Sequence, residues 1–248
     1  MDKLIYTAMT GAKHALEQQA TTAHNLANVN TTGFRAQLDQ FRAVPVLGDG
    51  LLPTRAFVVD STVGSDFNSG AIEQTGRDLD VAVQGKGWIA VQAADGSEAY
   101  TRNGSLQINE NGLLQTASGL SVASDGGTLS IPPGSRLGIA KDGTVSIVPD
   151  GSKGGSVTVV GKIKLVSPPD ADMVRGDDGL FRLRDGGTAE ADGTVNLIQG
   201  ALESSNVNTV NEMVNMITLA REYDLHMKLL QSAEGNANKA SQLLSMNA

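Results

Sequence analysis

The sequence predicts an α+β fold: a mainly antiparallel β central domain flanked by long N- and C-terminal α-helices that pair in a coiled-coil-like terminal domain. Three observations carry this. Near each end of the chain, residues of one stripe recur at alternating steps of four and three. That average of about 3.5 residues is the repeat of a helix that packs along a seam against another helix. Between the ends the helical period disappears, and short β-patterned runs alternate with Asx-Gly turns. The expected boundaries are 1–35 for the N-terminal helix, 36–75 for a connecting segment with β-structure, 76–200 for a Gly-rich β-domain and 201–248 for the C-terminal helix.

The first helix is expected over about residues 3–30, with Ile5, Met9, Ala12, Leu16, Gln19, Ala23 and Leu26 on its seam. Lys13, Glu17 and Gln18 occupy the opposite face. The helix runs into "HNLANVNTTGFRAQ", residues 24–37, where Asn, Thr and Gly weaken helices. Gly33 suits a left-handed helix cap, with Phe34 packing back on the last turn. Asn25 and Asn28 share a face, so their amides suit carbonyls left unpaired at the helix end or on a neighbouring chain.

The last helix is expected over about residues 209–246. Thr209 and Glu212 have the spacing of a capping box. From Met216 the seam continues through Ala220, Tyr223, Met227, Leu230, Glu234, Ala237, Ser241 and Leu244, with Glu234 and Ser241 as polar breaks. At 1.5 Å per residue such a helix is roughly 55 Å long. A narrow apolar stripe of that length has too little surface to cover it on one small domain.

In the middle, runs such as "LDVAV", "GWIAVQ", "TVSIV" and "SVTVVGKIKLV" read as strands. Asn103-Gly104, Asn111-Gly112, Asp125-Gly126, Asp142-Gly143, Asp178-Gly179, Asp185-Gly186 and Asp192-Gly193 punctuate them and suit turns that need positive φ. Leu79, Val81 and Val83 are expected to be buried, with Asp78 and Asp80 on a solvated face. Trp88, the single tryptophan, reads as core.

Composition narrows the function. The net charge is −8, with no run of Lys or Arg, which argues against nucleic acid. The absence of cysteine excludes disulfides, thiolate metal sites and cysteine nucleophiles. No apolar stretch has the length of a membrane span, and the opening lacks the basic and apolar regions of a cleaved secretory signal. The three histidines, His14, His24 and His226, all fall in the predicted helices and form no catalytic constellation. Asp78 and Asp80 could in principle act as paired carboxylates, or with Trp88 as a glycan platform, but a solvated strand face explains them more simply. "RGD", residues 175–177, opens a charged turn. No cofactor, metal site or enzymatic activity is expected.

Four stretches then carry a resemblance: "NLANVNTTGFR" (25–35), "IEQTGRDLDVAVQGKGWIAV" (72–91), "YTRNGSLQINENGLLQTASGLSV" (100–122) and "LESSNVNTVNEMVNMITLAREYDLHMKLLQ" (202–231). They resemble the signature stretches of flagellar axial proteins of the rod and hook, in order and across nearly the whole chain. His24 stands where that signature has its first Asn, and Arg35 takes its basic place. "MDKLIYTAMTGA" and "FRAVPV" are most similar to the proximal members of the flagellar basal-body rod family, with the distal rod members as near neighbours.

The resemblance implies a structural subunit of a hollow shaft that crosses the periplasm. It implies self-assembly and assembly with other proximal and distal rod proteins, and export as an unfolded chain by the flagellar type III apparatus. That route needs no cleaved signal peptide, and no membrane insertion or nucleic acid is involved. The chain is expected to be monomeric in isolation, with loosely ordered ends, and oligomeric in the rod. The expected assembly interface comprises Ile5, Met9, Ala12, Leu16, Ala23, Asn25, Leu26, Asn28, Gly33 and Phe34 near the start, and Met216, Ala220, Tyr223, Met227, Leu230 and Leu244 near the end.

Overall fold

A computed structural model describes residues 2–45, 56–124, 126–132, 134–149 and 157–246. Among the described residues two α-helices and a set of antiparallel sheets make an α+β fold. It divides into two compact units. One comprises Met1–Asn28, Gln37–Asp66 and Val207–Ala248; the other comprises Val29–Ala36 and Phe67–Asn206.

The helical unit holds α1 (Asp2–Ala27), α2 (Thr209–Met246) and an antiparallel pair, Gln37–Pro45 with Ala56–Ser65, whose register shifts between Gln40 and Phe41. The helices pack on one another. α1 stops at Ala27, three residues short of the expected end, because Asn28 closes it: its Nδ2 donates to the His24 carbonyl at 2.9 Å. α2 is capped by Asn208 rather than Thr209. The Asn208 Oδ1 accepts from the amides of Val210 and Asn211, both at 3.1 Å, and the Glu212 amide, which the predicted box would give to the Thr209 hydroxyl, donates to the Asn208 carbonyl at 3.0 Å. Asn is at least as good an N-cap as Thr, and its acceptor reaches two of the free amides of the first turn.

The covered line of each helix is rotated from the predicted seam by the same step. α1 buries Ala8, Ala12 and Ala15 together with Thr22 and Asn25, whereas Met9, Leu16 and Ala23 are exposed. In α2 the covered positions include Met216, Leu219, Tyr223, His226, Leu230, Ala233 and Ala237, whereas Ala220, Met227 and Glu234 are exposed. Ile5, Ala12, Met216, Tyr223, Leu230 and Ala237 belong to both lines. A four-three pattern leaves two stripes flanking the shared positions, and on α1 the covered stripe carries the smaller residues, Ala8 and Ala15 in place of Met9 and Leu16. Gly11 marks it: a Cβ there would lie 2.4 Å from the His226 ring.

In the β unit a nine-stranded sheet has at its centre Trp88–Gln92, flanked by Glu98–Thr101 and Ser121–Ser124. A three-stranded meander, Ser135–Ile139, Thr144–Pro149 and Thr158–Lys162, is inserted in sequence before that sheet's last strands, Leu165–Val166, Met173–Arg175 and Phe181–Leu183. Two antiparallel pairs complete the unit: Val81–Gln84 with Asn196–Gln199, and Ile72–Gln74 with Ala201–Glu203. Along Trp88–Gln92, Ile89 and Val91 enter one apolar cluster while Trp88 and Ala90 enter another. Alternation here separates two cores, not core from solvent.

The same correction applies at 78–83. Val81, Ala82 and Val83 are all buried, and so is Asp80; only Asp78 of the two carboxylates faces water. Asp80 is satisfied locally, accepting from Thr75 Oγ1 at 2.7 Å and pairing with Arg77 Nη1 at 3.2 Å. Its burial follows from the strand having a covered face on both sides, which a period-two reading cannot distinguish from one solvated face. Of the predicted turn glycines, Gly112, Gly143, Gly179 and Gly186 have positive φ. Gly104, Gly126 and Gly193 do not; Gly104 is needed instead because a Cβ would lie 1.7 Å from the Val81 carbonyl oxygen. Asp125 lies outside the described residues.

Candidate assembly surface

The segment that opens the signature does two jobs. Asn25, on α1, is 3% exposed and reads a single backbone position: its Nδ2 donates to the Gln37 carbonyl at 3.0 Å and its Oδ1 accepts from the Gln37 amide at 2.8 Å. This two-way clasp holds the first strand of the helical unit against α1. Asn28 closes the helix as described. Both amides are thus satisfied inside the chain.

Gly33 and Phe34 belong instead to the β unit. Gly33 has φ +69°, the left-handed geometry expected, but six residues beyond the helix end, so it is not the helix cap. A Cβ there would lie 2.4 Å from the Arg102 carbonyl carbon, and the Gly33 amide donates to the Glu203 carbonyl at 2.7 Å. Phe34 is buried with the Arg175 guanidinium 4.5 Å from its ring centre. Arg175 also donates to the Arg35 carbonyl at 3.1 Å, so the arginine of "RGD" is engaged within the fold.

Three charged residues meet beneath this segment. The Glu203 carboxylate takes Arg35 on Oε1 at 2.8 Å and Arg102 on Oε2 at 2.9 Å, and all three side chains are buried. The Gly70 amide donates to Oε1 at 2.9 Å, and Arg102 Nη2 donates to the Gly85 carbonyl at 2.6 Å. Arg35 Nη1 also reaches the Asn68 carbonyl. The Trp88 ring lies 5.3 Å from the Arg102 guanidinium and 5.9 Å from that of Arg35. Burial pulls Arg102 down to about 10, opposed by Glu203. Sequence reasoning did not single out this triad. Its signal was nevertheless present: Arg35, Arg102 and Glu203 each lie in one of the quoted signature stretches.

The second feature is the outer face of α2. Val210, Met213, Val214, Ile217, Leu225 and Leu229 are all exposed. At 100° per residue they centre almost opposite the covered line through Met216, Leu219 and Tyr223. α2 is therefore apolar on two faces, of which this chain covers one. On α1, Tyr6, Met9 and Leu16 are likewise exposed. Of the residues singled out from the sequence, Met9, Leu16, Ala23, Ala220 and Met227 lie on exposed surface; Ile5, Leu26, Met216, Tyr223 and Leu230 are half-buried; Ala12 is buried. Leu244 lies on α2, outside the residues whose side chains are described.

The remaining candidates are local. His14 bonds Glu17 at 2.9 Å and meets Phe41 edge-on. Trp88, at 3% exposure, is core and offers no platform to a glycan. A groove of about 740 Å³ in the β unit is lined by residues that include Asp172, Arg184, Asp185, Glu190 and Asp192, and by neither Trp88 nor Asp78 and Asp80. Among the described residues no group of three His, Asp or Glu could hold a metal ion, and no helix is long and apolar enough to cross a membrane.

Comparison with known proteins covers both units. Three family models match: "Flagella basal body rod protein" at residues 5–35, "Flagellar hook protein FlgE/F/G D1 domain" at 82–147 and "Flagellar basal body rod FlgEFG protein C-terminal" at 198–243. The chain is 48% identical over 253 residues to the flagellar basal-body rod protein FlgF of Escherichia coli K12, with 100% of both chains covered. It is 34% identical over 243 residues to FlgF of Caulobacter vibrioides, covering 94% of each. FlgG of Buchnera aphidicola from Schizaphis graminum is 30% identical over 271 residues, covering 96% of this chain and 98% of that one. Full-length similarity at this level, over a chain whose signature stretches converge on one buried triad, establishes that this chain belongs to the flagellar basal-body rod protein family.

Proposed function

We propose that the chain is a structural, non-enzymatic subunit of the proximal part of the flagellar basal-body rod, joined to other copies and to other rod proteins through its terminal helices. The observation that carries this is the apolar outer face of α2. A helix that is apolar on two faces is ordinarily buried on both, and here one face is left for other chains. α1 and α2 would form the coiled-coil-like part of the shaft, with Met9, Leu16, Ala23, Ala220 and Met227 turned toward neighbouring subunits. The 48% identity to FlgF of Escherichia coli, against 30% to FlgG of Buchnera aphidicola from Schizaphis graminum, supports the proximal reading. It entails passage through the flagellar export apparatus and a place where the rod crosses the periplasm, and it calls for no cofactor.

The test is Ile217→Glu. A charge left in a dry helical interface costs several kcal/mol, repeated at every subunit. In the free chain Ile217 is exposed, so the melting temperature should stay within about 2 °C of wild type. Cells carrying the variant should export the protein, complete no rods and not swim. Normal swimming would remove the outer face from the interface. Loss of the folded monomer would instead make it part of an intrachain core.

A further inference from the structure

Glu203 ends the strand Ala201–Glu203, the last before α2, while Arg35 follows α1 and Arg102 comes from the middle of the chain. Its carboxylate stands between the two guanidiniums at 2.8 and 2.9 Å, with all three groups out of water. Without it, two like charges would confront one another in the interior. The Arg102 guanidinium already feels this: burial and the charge of Arg35 both work against its ionised form. The backbone repeats the arrangement. Residues 33–36 lean on 203–206 through Gly33 N to Glu203 O at 2.7 Å, Asn206 N to Phe34 O at 3.4 Å and Ala36 N to Asn206 Oδ1 at 2.7 Å. Asn206 Nδ2 then donates to the Asn68 carbonyl at 3.0 Å. One short stretch near the end of the chain thus gathers, within the β unit, the segments near 36 and near 68, which adjoin two of the points where the chain leaves or enters that unit.

We propose that Glu203 is a conformational latch: Val29–Ala36 docks onto the β unit only after residues 201–206 have joined it, because the carboxylate turns the repulsion between Arg35 and Arg102 into attraction. A chain that emerges N-terminus first therefore keeps the segment after α1 undocked until its own C-terminal part arrives. The inference concerns the order in which this chain closes and stands apart from what it assembles into.

The experiment is residue-resolved amide exchange on the full-length chain with Glu203→Gln, which keeps shape and removes charge. Exchange at Gly33 and Ala36 should accelerate on the order of a hundredfold, while Val91 and Leu106 change by less than about threefold. The double variant Arg35→Gln, Glu203→Gln removes the repulsion along with the latch and should recover most of the lost protection. Unchanged exchange at Gly33 and Ala36 in the single variant would overturn the latch, and so would equal acceleration throughout the β unit. If Glu203→Gln does not fold at all, the double variant decides. Recovery of a folded chain with slow exchange at Gly33 supports the charge mechanism; continued failure overturns it.

Discussion

The β unit and the helical unit treat their apolar side chains in opposite ways. In the β unit Val81, Ile89, Val91, Leu106 and Val122 are buried to within 1% of full exclusion, and even the charged triad is paired. In the helical unit the buried residues of α1 are mostly small, Ala8, Ala12 and Ala15 among them, while Val214, Ile217, Leu225 and Leu229 of α2 stand in solvent. Apolar area removed from water is what stabilises a fold, at about 25 cal/mol per Å². One unit has therefore realised its stabilisation within the chain, and the other has kept much of it in reserve. That is the division expected of a subunit that folds one part of itself and completes the rest against neighbours.

Equivalent substitutions in the two units can break this comparison. The largest expected contrast is Leu106→Ala against Leu225→Ala. The first empties a filled core site and should cost about 2–5 kcal/mol in denaturant unfolding of the free chain. The second truncates an exposed side chain and should fall within about 0.5 kcal/mol of wild type. Equal losses would mean that the helical unit has a finished core after all.

Next comes the pair Leu230→Glu and Met227→Glu. Leu230 is half-buried on the covered line of α2, whereas Met227 is exposed beside it. Placing a carboxylate at 230 should weaken the helical unit by about 2–3 kcal/mol, read as faster amide exchange along α1 and α2. At 227 the free chain should be unaffected while rod assembly fails. If 227 is the more damaging in the monomer, the rotated contact line is wrong and the stripe through Met9 and Met227 is the intrachain one.

A smaller effect separates two carboxylates two residues apart. Asp80→Asn disturbs buried bonds to Thr75 and Arg77 and should cost about 1–2 kcal/mol. Asp78→Asn, on exposed surface, should be neutral and should leave swimming intact.

The smallest effect is spectroscopic and appears only in alkali. Burial is the main cause that pushes Tyr100 up to about 12 from its ordinary 10, aided by Glu98. A raised folded value means that the folded chain holds this proton more tightly. Its contribution to stability is complete below pH 10 and is lost as the pH rises toward 12. Ultraviolet titration of wild type minus Tyr100→Phe should place that tyrosine's ionisation near pH 12 in the folded chain. Ionisation near pH 10 with the fold intact would contradict the burial of its ring.

What the sequence by itself determined was the element order and the identity of the chemistry. Two terminal helices, their lengths to within a few residues, the antiparallel β middle and the burial of Trp88 are local or periodic properties, written in composition and spacing. The family was legible for the same reason, since its signature stretches are contiguous. The tertiary structure decided which of two adjacent stripes on each helix faces the partner helix, because a four-three repeat is compatible with both and only the close approach at Gly11 and His226 selects one. It also decided that Asp80 is buried, since a strand covered on both faces has the same period as a strand covered on one. Above all it decided the meeting of Arg35, Arg102 and Glu203. Each is an ordinary charge in its own stretch, and only the folding of a chain over separations of 101 and 168 residues brings them within 3 Å.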